Sequence, residues 1–195
     1  MLSNGEKIDP RVVRTRKLLT DAFLSVQQEK SFDDITIQDI ADRATVNRAT
    51  FYAHFQDKYA LLDSIIHDGF EVTLRYRLDA PIEGTHAHLR QLFLAVTDHL
   101  TAIHTQCQRS YGMFGSLVEA QIKAQVREHV QSWLAAEPTM RAVAKQRREL
   151  AATVISWSIY GAALEWQHQA RLQSAETFAE EALPLIAATI TVLGS

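Results

Sequence analysis

Apolar residues recur at helical spacing along most of the chain, and no strand-like alternation runs long enough to define a strand. The first pattern follows Asp9-Pro10, an N-cap residue with proline at the first helical position. Val12, Leu19, Ala22, Phe23 and Val26 then share one face until about Glu29-Lys30-Ser31. A short helix is expected from Thr36, with Asp39 answering it as a capping box and Ile37, Ile40, Ala41 and Ala44 forming its apolar face. Asn47 caps a second short helix, Arg48 to about Ala53. Asp57 starts a long one, whose Leu61, Leu62, Ile65 and Ile66 lead toward Leu78. Pro81 and Gly84 mark the first clear break. Helical patterns then cover about 85–107, 113–136, 145–171 and 175–193, separated at Gly112 and Gly115, at Glu137-Pro138 and at Gln173-Ser174. Pro184 lies inside the last pattern and is expected to kink it. The predicted fold is all-α.

Residues 36–53 make a short capped helix, a turn near Thr45-Val46 and a second short capped helix, the spacing of a helix-turn-helix. Small Ala41 and Ala44 let the two helices approach, while Ile40, Val46 and Phe51 point inward. The exposed face of the second helix then carries Arg48, Thr50, Tyr52 and His54, groups suited to base edges and phosphates in a major groove. The helix starts at Thr36, Asn47 and Asp57 aim backbone N–H groups outward, where they suit phosphate.

Composition complicates this reading. The chain has 195 residues, 47% hydrophobic and 22% charged, with a net charge of -3. It can bury a core, and it is not a protein coated in positive charge for nucleic acid. The imbalance is uneven, however. Residues 1–60 carry 9 Lys+Arg and 9 Asp+Glu, so the remainder carries 11 and 14. Positive charge in the first part is placed, at Arg11, Arg14, Arg16 and Lys17, then at Arg48 and Lys58. Asp33, Asp34, Asp39 and Asp42 must largely face elsewhere. A near-neutral reader of this kind is expected to bind random DNA only modestly.

The segment Ile35–Leu62, ITIQDIADRATVNRATFYAHFQDKYALL, resembles the DNA-binding signature of TetR/AcrR-family transcriptional regulators. Thr36, Ile40-Ala41, Ala44, Val46, Thr50, Phe51-Tyr52, His54-Phe55, Lys58 and Leu61-Leu62 match in a gapless register. The resemblance covers roughly residues 11–66. It implies an N-terminal three-helix domain, residues 1–60, and a C-terminal helical ligand-binding and dimerisation domain, residues 61–195. It implies that Arg48, Thr50 and Tyr52 contact bases and phosphates and that His54 lies near the DNA backbone. Lys58 and the Thr36 hydroxyl and N–H would hold phosphates, with Asn47 capping the recognition helix among them. Arg11, Arg14, Arg16 and Lys17 would add backbone or minor-groove contacts. Two positions depart from the family: Lys30-Ser31 stand where a glycine often ends helix one, and Thr45 stands where the turn usually has glycine. A β-branched residue is strained at positive φ, so a slightly different turn is expected at Thr45.

The same resemblance implies a homodimer, a double-stranded DNA operator and a small-molecule effector, with repression released by that effector. Residues Ala151–Leu164 are apolar nearly all round, and the last helix, from Phe178 to Leu193, has a broad apolar face; both suit a C2 helical interface. Aromatic residues gather loosely at Tyr111, Met113, Phe114, Trp133, Trp157, Tyr160 and Trp166, with His99 and His104 before them. Of these, Phe114, Trp157 and Tyr160 are the expected ligand residues. No metal site and no cofactor is expected: the histidine spacings do not chelate as H-E-x-x-H does. Cys107, the only cysteine, lies near Arg109 and is read as structural before it is read as a thiolate sensor. No phosphate loop, nucleophile elbow or paired-acid constellation marks an enzyme. A helical adaptor without DNA binding is disfavoured by the intact Arg48, Thr50, Tyr52 and Lys58. MLSNGEKIDP has no apolar core, the longest uncharged run in the second half is 14 residues, and the lone thiol fits a reducing interior, so a cytoplasmic protein without a membrane anchor is expected.

Overall fold

The computed structural model describes residues 9–79, 82–106, 111–169 and 172–193. Pro81, Cys107 and Arg109, and the side chains of Tyr111 and Met113, lie outside the described residues. Among the described residues eight α-helices follow one another: α1 Pro10–Gln27, α2 Ile37–Arg43, α3 Arg48–Tyr52, α4 Lys58–Leu78, α5 Thr85–Gln106, α6 Tyr111–Ala136, α7 Lys145–His168 and α8 Ala175–Leu193. A single 3-10 turn, Pro138–Met140, stands between α6 and α7, and no strand occurs among the described residues. None of the described helices is long and apolar enough to cross a membrane. The chain divides into two units, residues 1–65 and 66–195, and α4 contributes to both.

Gly112 and Gly115 do not break the chain as expected; both lie inside α6. Each glycine costs a helix about 1 kcal/mol. The cost is outweighed by one buried ladder, Phe114, Val118, Ile122, Val126, Val130 and Leu134, spaced by four along the helix. Pro184 does lie inside a helix, and α8 continues past it to Leu193.

In the first unit, α1, α2 and α3 bury Leu19, Phe23, Val26, Ile40, Ala41 and Phe51 against one another. The loop from α1 to α2 adds Phe32 and Ile35 to this core. Asp9 caps α1 by accepting from the Arg11 N–H at 2.9 Å. Thr36 and Asp39 form the full capping box of α2. The end of α2 is a Schellman motif, in which Val46 N–H donates to Ala41 O at 3.0 Å and Thr45 N–H to Asp42 O at 3.1 Å.

That motif requires a left-handed residue, and Thr45 provides it at φ 57°. The turn keeps the shape that glycine would give it, and the β-branched side chain bears the strain, contrary to the expected change of shape. Left-handed backbone costs an L residue roughly 1–2 kcal/mol, partly offset in glycine by a floppier unfolded chain. Thr45→Gly is therefore expected to stabilise the protein by about 1 kcal/mol. A thermal-denaturation midpoint that stays level or falls would contradict the strain.

In the second unit, α5 packs against α7 and α8, and α6 packs against α7. Leu92, Phe93, Leu94, Ala95 and Val96 of α5 are all buried, so this helix is enclosed on every side at its middle. Phe93 stacks on Phe178 of α8 with centroids 6.0 Å apart. His99 is buried beside Phe70, and burial lowers its pKa to about 4, so it is a neutral core group at pH 7.

Candidate nucleic-acid interface

The helix-turn-helix predicted over 36–53 is α2, the Thr45 turn and α3. Asn47 begins α3, and its Oδ1 accepts both the Thr50 N–H at 2.7 Å and the Thr50 hydroxyl at 3.0 Å. This consumes the single hydroxyl proton of Thr50. Outward, Thr50 offers oxygen lone pairs and a methyl group, which suit an exocyclic amine or a thymine methyl. Asn47 retains its two amide N–H donors.

Phe51 is fully buried, and Tyr52 packs its ring against it edge-on at 5.7 Å while remaining 49% exposed. Arg48, one turn before, reaches the Tyr52 hydroxyl at 3.4 Å and lies 5.9 Å over its ring. The aromatic holds the guanidinium extended along the helix, so less freedom is lost when it meets a base edge. Arg48 and Tyr52 thus share one face of α3, and Thr50, two residues from each, is half-buried against Asn47. His54 follows α3, with its side chain half-buried and its carbonyl facing Arg16.

Three other expected DNA donors are engaged inside the unit. The Thr36 N–H and hydroxyl both donate to Asp39 Oδ2, at 2.9 and 2.7 Å. Lys30 binds the other Asp39 oxygen at 2.7 Å, and these bonds hold the carboxyl well below the usual carboxylate range. Arg16 donates to Ser64 Oγ at 2.8 Å and to His54 O at 3.4 Å, with its guanidinium 4.4 Å over Phe55. It ties α1 to the end of α3 and to α4.

Lys58 is the clearest case. Its ammonium donates to Phe32 O at 2.8 Å, Ile35 O at 2.9 Å and Asp33 O at 3.0 Å. It also lies 4.7 Å over the Phe32 ring. A lysine has three N–H donors, and all are placed. The position is the first residue of a helix, where a cation opposes the helix dipole. The three carbonyls explain why it sits there. A direct phosphate bond would require Lys58 to release one of them.

Three of the four acids expected to avoid DNA have carboxylate partners within the unit. Asp39 closes the capping box, Asp34 accepts from Ser31 at 2.6 Å, and Asp42 accepts from Gln38 at 2.6 Å. The Asp33 carbonyl belongs to the Lys58 cage.

Of the expected ligand residues, Phe114 and Tyr160 are buried and Trp157 is 62% exposed on α7; Lys123 Nζ lies 3.7 Å over the Trp157 ring and 5.9 Å over that of Tyr160. None of the three lines the cleft between α4 and α6 that includes Leu74, Gln125 and His129. Sequence reasoning also missed His67, Asp68 and Glu71, whose ligand atoms lie within 4.8 Å of one another on α4. The signal was the i, i+4 spacing of His67 and Glu71.

A family model described as "Bacterial regulatory proteins, tetR family" matches residues 19–65. The chain is 48% identical over 62 residues to the uncharacterized HTH-type transcriptional regulator YxbF of Bacillus subtilis, a match covering 31% of this chain and 16% of that protein. It is 34% identical over 56 residues to the HTH-type dhaKLM operon transcriptional activator DhaS of Lactococcus lactis, covering 29% of this chain and 30% of that one. The chain therefore aligns with well under half of these relatives' length. The whole fold is similar to that of the TetR family repressor AlkX from Dietzia, with a TM-score of 0.58 at 15% identity over 98% of this chain and all of that one. With its Schellman turn, its capped α3 and the register of its core, the segment 19–65 is a helix-turn-helix of the TetR-family kind, and the whole fold is similar to that of TetR-family regulators.

Proposed function

We propose that this protein is a homodimeric, cytoplasmic repressor that leaves a palindromic operator when a small-molecule effector binds. Residues 1–60 read the DNA, and residues 61–195 sense and dimerise. The observation that carries the reading is the outward surface of α3. Arg48 and Tyr52 stand together on it, with Thr50 beside Asn47, while Arg16, Thr36 and Lys58 brace the frame behind. In this proposal Arg48 reads base edges, and Thr50 and Tyr52 supply base or phosphate contacts. The Asn47 amide and His54 serve the flanking phosphates. Two copies would place two α3 helices at half-sites about 34–36 Å apart, or a multiple of that.

Dimerisation is supported by apolar side chains with no cover. On α7, Leu150 and Val154 are 64% and 43% exposed, in line with Trp157 and Gly161. On α8, Leu185 and Val192 are exposed with Ala188 between them. Opposite faces of both helices fill the core through Ile155, Ile159, Ile186 and Ile190. Helices apolar on two sides suit a C2 four-helix contact.

The test is Arg48→Ala, measured on a sequence selected from a random DNA pool. Its loss is expected to be about 1–3 kcal/mol at particular base pairs, with little change on random DNA. Equal losses on both would reduce Arg48 to a backbone contact and remove the sequence-reading role of this surface. Activation is the second reading, because the similar DhaS is named an operon activator. A reporter driven by the selected site distinguishes the two by the sign of its response.

A further inference from the structure

A cleft of about 500 Å³ opens within the second unit, between the C-terminal half of α4 and the middle of α6. Helical spacing assembles it: Glu71, Leu74, Arg75 and Leu78 share a face of α4, and Gln125, Glu128 and His129 share a face of α6. Leu74 and Gln125 are its buried members. Gln125 is only 7% exposed, and its Nε2 finds no acceptor among the described residues. A buried amide donor without a partner costs about 1–3 kcal/mol, so it marks a place where something else supplies the acceptor.

The charges around this donor have one sign in excess. Glu71, Asp79 and Glu128 line the cleft against a single guanidinium, Arg75, and Arg75 is ion-paired with Glu71. Asp79 and Glu128 are left without an ion pair among the described residues. His129 does not balance them at neutral pH. His129 Nε2 meets His88 Nε2 at 3.0 Å, which requires one of the two nitrogens to be unprotonated. His88 in turn stacks on Trp133 at 4.2 Å. Burial lowers both pKa values, that of His88 to about 4.

We propose that this cleft binds a small organic amine, with its ammonium against Glu128 and Asp79, its apolar body over Leu74 and Leu78, and a hydroxyl or carbonyl oxygen on the Gln125 amide. This deepens the effector reading above and rests on it for its regulatory meaning. An anion would meet two uncompensated carboxylates. A wholly apolar ligand would leave the amide and both acids unanswered. A metal ion at His67, Asp68 and Glu71 would sit beside the Arg75 guanidinium, which already occupies Glu71.

The experiment uses three probes of one shape: tyramine, uncharged 4-ethylphenol and anionic 3-(4-hydroxyphenyl)propanoate. Calorimetry and thermal shift on the full protein, without DNA, are expected to show tyramine binding at least about tenfold tighter than the other two. Glu128→Gln, an exposed change that leaves the fold intact, is expected to remove most of that preference. Gln125→Leu is expected to weaken tyramine and 4-ethylphenol by a similar factor, since both carry the phenolic hydroxyl, and to leave the preference for tyramine intact. Equal binding of the three probes, binding of none, or a shift by zinc ion alone that His67→Ala abolishes would overturn the amine site. A separate arm measures affinity for the selected DNA with and without tyramine. Tyramine bound at the cleft with DNA affinity unchanged sustains the site and removes the effector reading.

Discussion

Val154→Glu is expected to yield a folded monomer at micromolar concentration that no longer holds the paired DNA site. Val154 is 43% exposed, so the new carboxylate stays in water in the free chain and the helix is preserved. In a C2 contact the same substitution enters twice, and each copy places an unpaired charge against the apolar stripe of Leu150, Trp157 and their partners. Burying an uncompensated ion costs several kcal/mol. An expected penalty of about 4 kcal/mol weakens association roughly a thousandfold. Leu185→Glu on α8 should do the same independently. Sedimentation velocity checks the mass, and circular dichroism checks the fold. A dimer that persists in both variants would place the interface elsewhere and leave these stripes without a role. DNA binding should fall with the dimer, since a monomer engages only one half-site.

How much of this could be read from the chain depended on the range of the interaction. Helix starts were legible because their signals are local: Asp9-Pro10, the Thr36/Asp39 box, Asn47 and Asp57 each cap within three residues. The outward face of α3 was legible for the same reason, because this helix is short and fixed by Asn47 at one end and buried Phe51 inside. The partners of the cations were not. Lys58 reaches carbonyls 23 to 26 residues away, in an irregular loop whose backbone no periodicity describes. Arg16 reaches 38 and 48 residues along. A motif gives such residues a position, but the geometry of the loop decides whether they face solvent. The exposure of Trp157 was hidden for another reason: on a helix apolar along two faces, spacing alone does not tell the core side from the outer side. The α4–α6 cleft needed two distant helices in register, and only the unanswered Gln125 amide singles it out.

The Lys58 cage gives the other large effect. Lys58→Met keeps much of the apolar stem against Phe32 and removes the ammonium, leaving the Phe32, Asp33 and Ile35 carbonyls without their donor. Hydrogen bonds to charged groups contribute about 1.5–3 kcal/mol each, and water recovers some of that at this half-buried site. A net loss of roughly 2–4 kcal/mol is expected, or about 4–16 °C in midpoint for a chain of this length. The salt dependence of DNA binding separates this role from the one the family resemblance implies. A residue neutralising one phosphate lowers the slope of log K against log salt by about one when it is removed. If Lys58 is the brace, Lys58→Met measured well below its midpoint keeps the slope while the melting temperature falls. A midpoint that holds while the slope drops by about one would return Lys58 to the DNA surface. The three carbonyl bonds would then contribute little to the fold.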